Sequence, residues 1–490
     1  MEVSPCSAHL HLQGSSLMLV LMVASAAIGG TLQYGYNLAI MNAPTTFIQT
    51  FINETFLERW DIQLEDYQVT LVWTIIVSIF SLGGLAGALI AGPMTIRFGR
   101  KKCLLLSNIF LMSGALLAVT SRAAKSFEMI IISRILVGIN AGISMNVQPM
   151  YFGESAPKHL RGAISLSSAV FAAFGVVLGQ VVGLREILGS EPYWQYLLAS
   201  NAIPGFIQLL TLPWFPESPR YLLIDRGDKE ACINALRRLR GCEVQSSELD
   251  EILQEQADTK GMRASRPWEL FTDRSVRWQL ITVMIISSAM QLCGNDSIYF
   301  YASYVFKEAG IADDKIQYVS IGTGTCEFTA CIMHHVSKHF LANGWYGLLF
   351  NHYISWMPYL SMACIFTYIL SFGMGPAGVT GVLPTEIFNQ TARPAAYMIA
   401  GSMMWLNLFI TGMIFPFLSE LSEYCFVPFG AVCLLSALYV GLFLPETKGK
   451  SLSVITSEFH KLNFKGQQRT CPSKTQAQYQ LGEVCLSTAL

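Results

Sequence analysis

FPESPR at 215–220 and LPETKGK at 444–450 are near copies. Each closes a long apolar run, and each sets a proline, a glutamate, a hydroxyl residue and then a base within a few positions. The pair recurs about 230 residues apart in a chain of 490. The apolar runs explain the spacing. Of all residues, 52% are apolar and 13% charged, against the ~25% charged usual in soluble domains. The apolar residues come in blocks near 20, the length that crosses a bilayer as helix. The chain reads as an all-α polytopic membrane protein, and its lipid partner is the bilayer itself. A net charge of −1 leaves no electrostatic footprint for nucleic acid.

Eleven spans are clear: 17–36, 71–93, 103–121, 127–150, 163–184, 194–213, 278–301, 316–337, 357–380, 395–417 and 425–444. The first has no basic leader and no convincing cleavage site, so it is expected to stay as a helix. Between the two groups of spans lies a polar stretch, 214–277. The region 338–356 is doubtful. If it crosses once and the amino terminus is cytoplasmic, 25 of the 32 Lys and Arg fall on the cytoplasmic side, as the positive-inside rule requires. Both termini are then cytoplasmic, and Asn53-Glu54-Thr55 lies on the first outer loop, where N-x-T can accept a glycan. Asn295-Asp296-Ser297 and Asn389-Gln390-Thr391 fit the same pattern but fall in a span and in a cytoplasmic loop.

The copies extend further. Glu154 and Arg161 in GESAPKHLRGA follow span four, and Glu386 and Arg393 in TEIFNQTARPAA stand at the corresponding turn of the second half. Two matched motifs in the same order indicate a duplicated six-helix bundle, the build of a secondary transporter whose halves rock about a central site. The expected units are a first bundle 1–213, cytoplasmic linker helices 214–277, a second bundle 278–455 and a cytoplasmic tail 456–490. Arg100, Glu154, Arg161, Glu217, Arg220, Glu386, Arg393 and Glu446 are candidates for an inter-bundle network that closes the inner mouth in one state. The alternative is plain positive-inside flanks with solvated acids, since surface ion pairs contribute little stability.

RFGRKK at 97–102, the PES and PET copies, the two Glu…Arg turns and the Gly-Gln of span five together resemble the sugar porters of the major facilitator superfamily. The resemblance covers nearly the whole chain and is nearest to the animal facilitative hexose transporters, especially their fructose-associated class. It implies two six-helix bundles, alternating access, a small hexose substrate, no cofactor and a multi-pass place in the plasma membrane. Oligomeric state stays open, a homo-oligomer included, although each chain is expected to hold its own pathway.

A hexose presents a ring of hydroxyls and a C–H face, so its site needs amides, hydroxyls and an aromatic surface. Polar residues inside spans are costly and face a cavity or a neighbouring helix. The candidates are Gln33, Asn37, Gln180, Gln291, Asn295, Asp296, Glu327 and Trp405. The resemblance places Gln180, Gln291 and Trp405 on family sugar-contact positions; interhelical bonding or packing is the alternative for each. Met290 stands where the family carries the first of two glutamines. Asp296 and Glu327 replace common asparagines, and Gly381 replaces a tryptophan of the glucose-selective relatives, which widens the pocket toward fructose. Proton-coupled relatives have Asp where Asn37 stands. Asn37 cannot titrate, which favours passive transport, while the intramembrane acids Asp296 and Glu327 keep proton coupling open.

Small residues add mechanical expectations. Gly83 and Gly87 of GGLAG allow close helix approach in span two, and Pro376 in GMGPAG, 373–378, permits bending of span ten. The linker, with LRRLRG at 236–241, suits short amphipathic helices. No metal site is expected: twelve cysteines show no C-x-x-C pair, and His334, His335, His339 and His352 fit no ligand spacing. No phosphate loop or nucleophile constellation marks an enzyme, and GTGTC at 322–326 lies within a span.

One demand of the duplication fails. RFGRKK has no basic twin after span eight, where Lys338 is the only base between 317 and 392. From Leu71 to Glu154 is 83 residues, but from Ile316 to Glu386 is 70. The remaining 340–356 reaches about 25 Å as helix, short of a ~30 Å core. Three readings stand: a short ninth span, a re-entrant segment with an inverted tail, or a variant transcript or faulty gene model of a normal transporter. The last two imply a non-transporting product.

Overall fold

The structure is a computed structural model that describes residues 5–157, 160–241, 246–259, 266–308, 310–312, 314–333, 357–374, 383–384, 387–388, 392–419, 426–445 and 452–463. The doubtful region 338–356 therefore lies outside the described residues, as do Glu386, Glu446, Pro376 and Gly381. Among the described residues the fold is helical throughout, with no strand. In the first half the helices are α1 (Pro5–Ile28), α2 (Thr31–Ala39), α3 (Thr45–Trp60), α4 (Asp66–Phe98), α5 (Arg100–Ser121), α6 (Glu128–Ser155), α7 (Arg161–Val182), α8 (Trp194–Ala199) and α9 (Ala202–Thr211). The linker holds α10 (Lys229–Arg240), α11 (Ser246–Thr259) and α12 (Pro267–Thr272). The second half follows with α13 (Arg277–Leu292), α14 (Asn295–Phe300), α15 (Ala302–Glu308), α16 (Ile316–Met333), α17 (Met357–Met374), α18 (Arg393–Ser419), α19 (Val427–Phe443) and α20 (Leu452–Asn463).

Each of the eleven spans read from the sequence contains helix. By length and composition alone, six of the described helical stretches are long and apolar enough to cross a membrane. Three of the eleven spans, two of them among those six, are interrupted. Gly29 and Gly30 interrupt span one because Gln148 and Gln208 press on the backbone there: a Cβ at Gly30 would lie 2.0 Å from Gln148 Oε1, and one at Gly29 2.4 Å from the Gln208 amide. Span six divides at Ser200–Asn201. Span seven divides at Gly294, whose φ of +91° belongs to the left-handed region that glycine enters without strain. Between spans one and two lies α3, which block reading misses because its buried face is only Ile48, Ile52 and Thr55.

Glycines let the helices of the first half approach closely. A Cβ at Gly83 would meet Ile135 O at 2.3 Å, one at Gly87 Ile139 O at 2.3 Å, and one at Gly142 Gly84 O at 2.1 Å. The expected closeness at Gly83 and Gly87 is thus a seam between α4 and α6. A second seam joins α2 to α7, where Gly35 faces Ala172 O and Gly175 faces Leu32 O.

The halves meet along two seams, α4 with α18 and α7 with α16. The duplication maps span two onto eight and five onto eleven, so it exchanges these two seams. The largest core cluster joins both halves, with Leu32, Phe80 and Val176 beside Tyr299, Ile369 and Trp405. The segment between the halves holds short helices. Asp228 caps α10 by accepting from Ala231 N at 2.9 Å, and Gly241 ends it in the left-handed region. Leu236 and Leu239 point inward, and burial pushes the Cys232 thiol up to about 11, leaving it unreactive.

Candidate functional site

The first motif copy, FPESPR at 215–220, builds a charged cluster at the end of the first half. Gly99, with a φ of +90°, turns the chain between α4 and α5. The first amides of α5 then point at Glu217 of FPESPR, whose Oε1 accepts from Arg100 N at 3.0 Å, Lys101 N at 2.9 Å and Ser218 N at 3.0 Å. A carboxylate at a helix N-terminus meets both free amides and the positive end of the helix dipole. The Arg100 guanidinium donates to Glu154 Oε1 at 2.8 Å and to Asp225 Oδ2 at 2.8 Å, and stacks 4.8 Å from the Tyr221 ring centroid. Ser218 Oγ donates to the other oxygen of Glu154, and Lys101 Nζ to Phe215 O at 2.8 Å.

RFGRKK, GES and FPESPR therefore lock together. All of these contacts lie inside the first half and the linker, whereas the sequence reading places this network between the bundles. The side chain of Arg161 lies outside the described residues, with Glu386 and Glu446. Arg393 donates to Phe388 O at 3.3 Å within its own half, and Arg220 sits half-buried beside the cluster.

Of the intramembrane candidates, Gln33 and Asn37 bond inside the first half. Gln33 Nε2 donates to Asn201 O, Asn37 Nδ2 donates to Gln33 O at 2.8 Å, and Asn201 Nδ2 donates to Asn37 Oδ1 at 2.9 Å. Buried Arg134 donates to Asn37 O at 3.2 Å and stacks 4.5 Å from the Phe80 ring centroid.

The remaining candidates gather between the halves. Trp405 is fully buried on α18 and lies across α4, where a Cβ on Gly84 would touch its ring at 2.2 Å. Tyr34 of α2 meets it edge-on at 5.6 Å, and Phe80 at 5.7 Å. The Tyr34 hydroxyl sits beside the Gln291 side chain and faces the carboxyls of Asp296 and Glu327. Tyr299 donates to Glu327 Oε2, and Asn295 and Asp296 are both buried beside them. From α7, Gln180 Nε2 donates across to Thr323 Oγ1 of α16 at 3.2 Å. Thr323 and Glu327 are one turn apart on α16. Four buried atoms of this group make no hydrogen bond: Gln180 Oε1, Gln291 Oε1, Asn295 Oδ1 and Trp405 Nε1. Most buried polar atoms in proteins are bonded; others here lack a partner too, Asn108 Oδ1 and Asn140 Oδ1 among them, but those lie within the first half.

Tyr34 is absent from the sequence candidates. The spacing of its neighbours could have found it: Gln33, Tyr36 and Asn37 stand at i, i+3 and i+4, one face of α2, and all three bond to span six or to each other. Tyr34 lies off that face, toward the second half.

Among the described residues, no group of three or more His, Cys, Asp or Glu could hold a metal; the four clustered histidines lie outside them. Asn53 is half-buried within α3 and accepts from Leu64 N at 3.2 Å, with Thr55 buried beside it.

A helical membrane protein with two joined halves and a polar, aromatic cluster between them has the architecture of a carrier. The family model described as sugar (and other) transporter matches residues 22–341 and 334–459, and the chain belongs to that family. The two matched stretches meet at 334–341, where the landmark spacing falls short. Human solute carrier family 2, facilitated glucose transporter member 11, is 54% identical over 465 residues, covering 91% of this chain and 94% of that protein. Member 5 from Bos taurus is 42% identical over 464 residues, covering 91% and 93%. Among solved structures, the major facilitator superfamily proton:xylose symporter XylE bound to 6-bromo-6-deoxy-D-glucose matches with a TM-score of 0.75 at 24% identity, over 90% of this chain and 99% of that one. That likeness fixes the fold. The resemblance first carried by the PES, PET and RFGRKK motifs is borne out.

Proposed function

We propose that the chain carries hexoses, fructose and glucose, passively across a membrane by alternating access. The observation that carries this reading is the set of unbonded polar atoms on Gln180, Gln291, Asn295 and Trp405, gathered where the two halves meet. Sugar hydroxyls would complete those bonds, and the Trp405 and Tyr34 rings would take the C–H face. The relatives named facilitated glucose transporters support the same class of substrate. Asn37 offers no titrating group beside Arg134, which favours a uniport over proton coupling. Gly381 in place of a tryptophan favours fructose.

In this reading the bundles 1–213 and 278–455 rock about the cluster, while 214–277 rides on the cytoplasmic face and 456–490 trails as a tail. The protein is placed in the plasma membrane with both termini cytoplasmic and a glycan on Asn53. The Arg100–Glu154–Glu217 cluster holds the linker against the first bundle, and gating falls to the way its edge meets Arg393, Glu386 and Glu446.

The test is counterflow of radiolabelled D-fructose into liposomes holding the purified chain. Saturable, stereoselective uptake is expected, and Gln291→Ala should raise KM about tenfold, the effect of one lost hydrogen bond with its partner left unsatisfied. An unchanged KM removes Gln291 from the site.

A second reading has its own support. The family match split into two stretches that overlap at 334–341, and the short count between Ile316 and Glu386, favour a form that does not transport. A tag after Leu490 separates the two. Reached only in permeabilised cells, it means the second half is oriented like the first; reached on intact cells, it means an inverted tail and no working carrier.

A further inference from the structure

The α7–α16 seam contains a polar notch that the sugar site alone does not explain. Gln180 is a candidate sugar contact, yet its Nε2 donates across the halves to Thr323 Oγ1 at 3.2 Å. Thr323 is fully buried and turns its own proton inward, donating to Ser320 O at 2.6 Å. Its oxygen is thereby presented as an acceptor. The neighbouring glycine leaves room for the amide: a Cβ at Gly324 would lie 2.4 Å from Gln180 Oε1 and push that side chain aside. Val176 and Val177 wall the notch, with their methyls 3.2 Å from the same point. Gln180 Oε1, seated there, makes no hydrogen bond of its own.

Further out along the seam, Arg185 N donates to Gln317 Oε1 at 3.3 Å and Tyr318 to Glu186 Oε1 at 3.0 Å. Further in, the rings of Phe174 and Phe328 pack at 5.6 Å. The Gln180 bond thus sits between an outer polar tie and an apolar contact, on the surface where the two halves must slide.

We infer that Thr323 and Gly324 form a latch for Gln180, so that sugar and latch compete for one amide. This rests on the reading of Gln180 as a sugar contact. In the free carrier the amide holds α7 to α16. When a sugar takes both ends of the amide, one hydroxyl donating to Oε1 and another accepting from Nε2, the seam loses the Thr323 bond and the halves are freed to rock. Thr323 is then a positioning residue: it touches no substrate, yet it sets affinity through the bond that binding must break.

The competition gives a signed prediction that a merely structural role does not. Thr323→Val keeps the shape but removes the acceptor, leaving Gln180 Nε2 unpaired in the free state only. Binding should therefore tighten about three- to tenfold, the factor for one ordinary hydrogen bond. The measurement is the Kd for D-fructose by tryptophan quenching on the purified full chain in detergent, which requires no transport. Thr323→Ser should keep the parental Kd. Thr323→Ala, which also lacks the acceptor, should tighten binding and serves if the valine variant does not accumulate. In a Gln180→Ala background the valine change should have no effect, because coupled pairs are non-additive. Gln180→Ala itself should weaken binding. If it does and Thr323→Val leaves Kd unchanged or weaker, the latch is wrong and the site reading survives. If Gln180→Ala leaves Kd unchanged, the site reading fails and the latch goes with it.

Discussion

Replacing Gly138 with leucine is expected to leave no folded carrier, while the same change at Gly153 of the same helix is expected to be harmless. A Cβ at Gly138 would stand 2.2 Å from Phe80 O and 3.0 Å from the Cα of Gly83. Both neighbours are backbone, so no side-chain rotation relieves the clash. The α4 and α6 axes must part, and the close contacts at Gly83, Gly87 and Gly142 open with them. Ordinary overpacking costs about 1–3 kcal/mol; prying apart two long helices costs more, against a total stability on the order of 5–15 kcal/mol. A Cβ at Gly153 meets nothing within 4 Å. Leucine also favours helix over glycine by roughly 1 kcal/mol at both sites, so propensity cancels in the comparison and packing remains. The check is monodispersity in detergent and the amount reaching the cell surface. Equal behaviour of Gly138→Leu and Gly153→Leu would show that the seam does not need its glycines.

How far such seams could be read in advance depends on what carries the signal. GGLAG announces close approach because small residues four apart share a helix face. The partner is a different matter. Gly138 and Gly142 repeat the same spacing in span four, but nothing in the sequence says that the two stripes meet. The eleven spans were legible because block length is a bulk property of the chain. Breaks at Gly29–Gly30 and Gly294 were not, because at each a side chain of another helix, Phe429 in the case of Gly294, occupies the place a Cβ would take.

The polar candidates divide in the same way. Residue type marks Gln33, Asn37, Gln180 and Gln291 alike as amides in apolar surroundings. Only geometry separates the pair that bonds to Asn201 from the pair that faces the other half. Tyr34 was hidden for the opposite reason, since a tyrosine in a span attracts no notice. The duplicated PES motif was legible as a repeat, but its role was not. An inter-bundle gate and a clamp within one bundle require the same acids and bases; a glutamate that caps the start of α5 from 117 residues away leaves no local trace.

Arg100→Ala tests which of those roles the motif has. Arg100 and Glu154 are mostly covered, with side-chain exposures of 13% and 18%. Among the described residues, removing the guanidinium leaves the Glu154 carboxylate with the Ser218 hydroxyl alone, and an uncompensated buried charge costs on the order of 3–5 kcal/mol. The Asp225 contact is about one-third exposed and adds little once screening by water is counted. A lower melting midpoint and less protein at the surface are therefore expected. Glu154→Gln placed on top of Arg100→Ala should recover much of the loss, because the stranded charge is gone. Arg100→Lys should recover less, since an ammonium cannot span Glu154 and Asp225 while stacking on Tyr221. A gate behaves differently. If the cluster opened and closed between the bundles, Arg100→Ala would leave the melting midpoint near the parent and change the balance of inward- and outward-facing states, seen as unequal influx and efflux KM. Every described bond of Arg100, Glu154 and Glu217 stays within the first half and its linker. The stability loss, with rescue by Glu154→Gln, is accordingly the expected outcome.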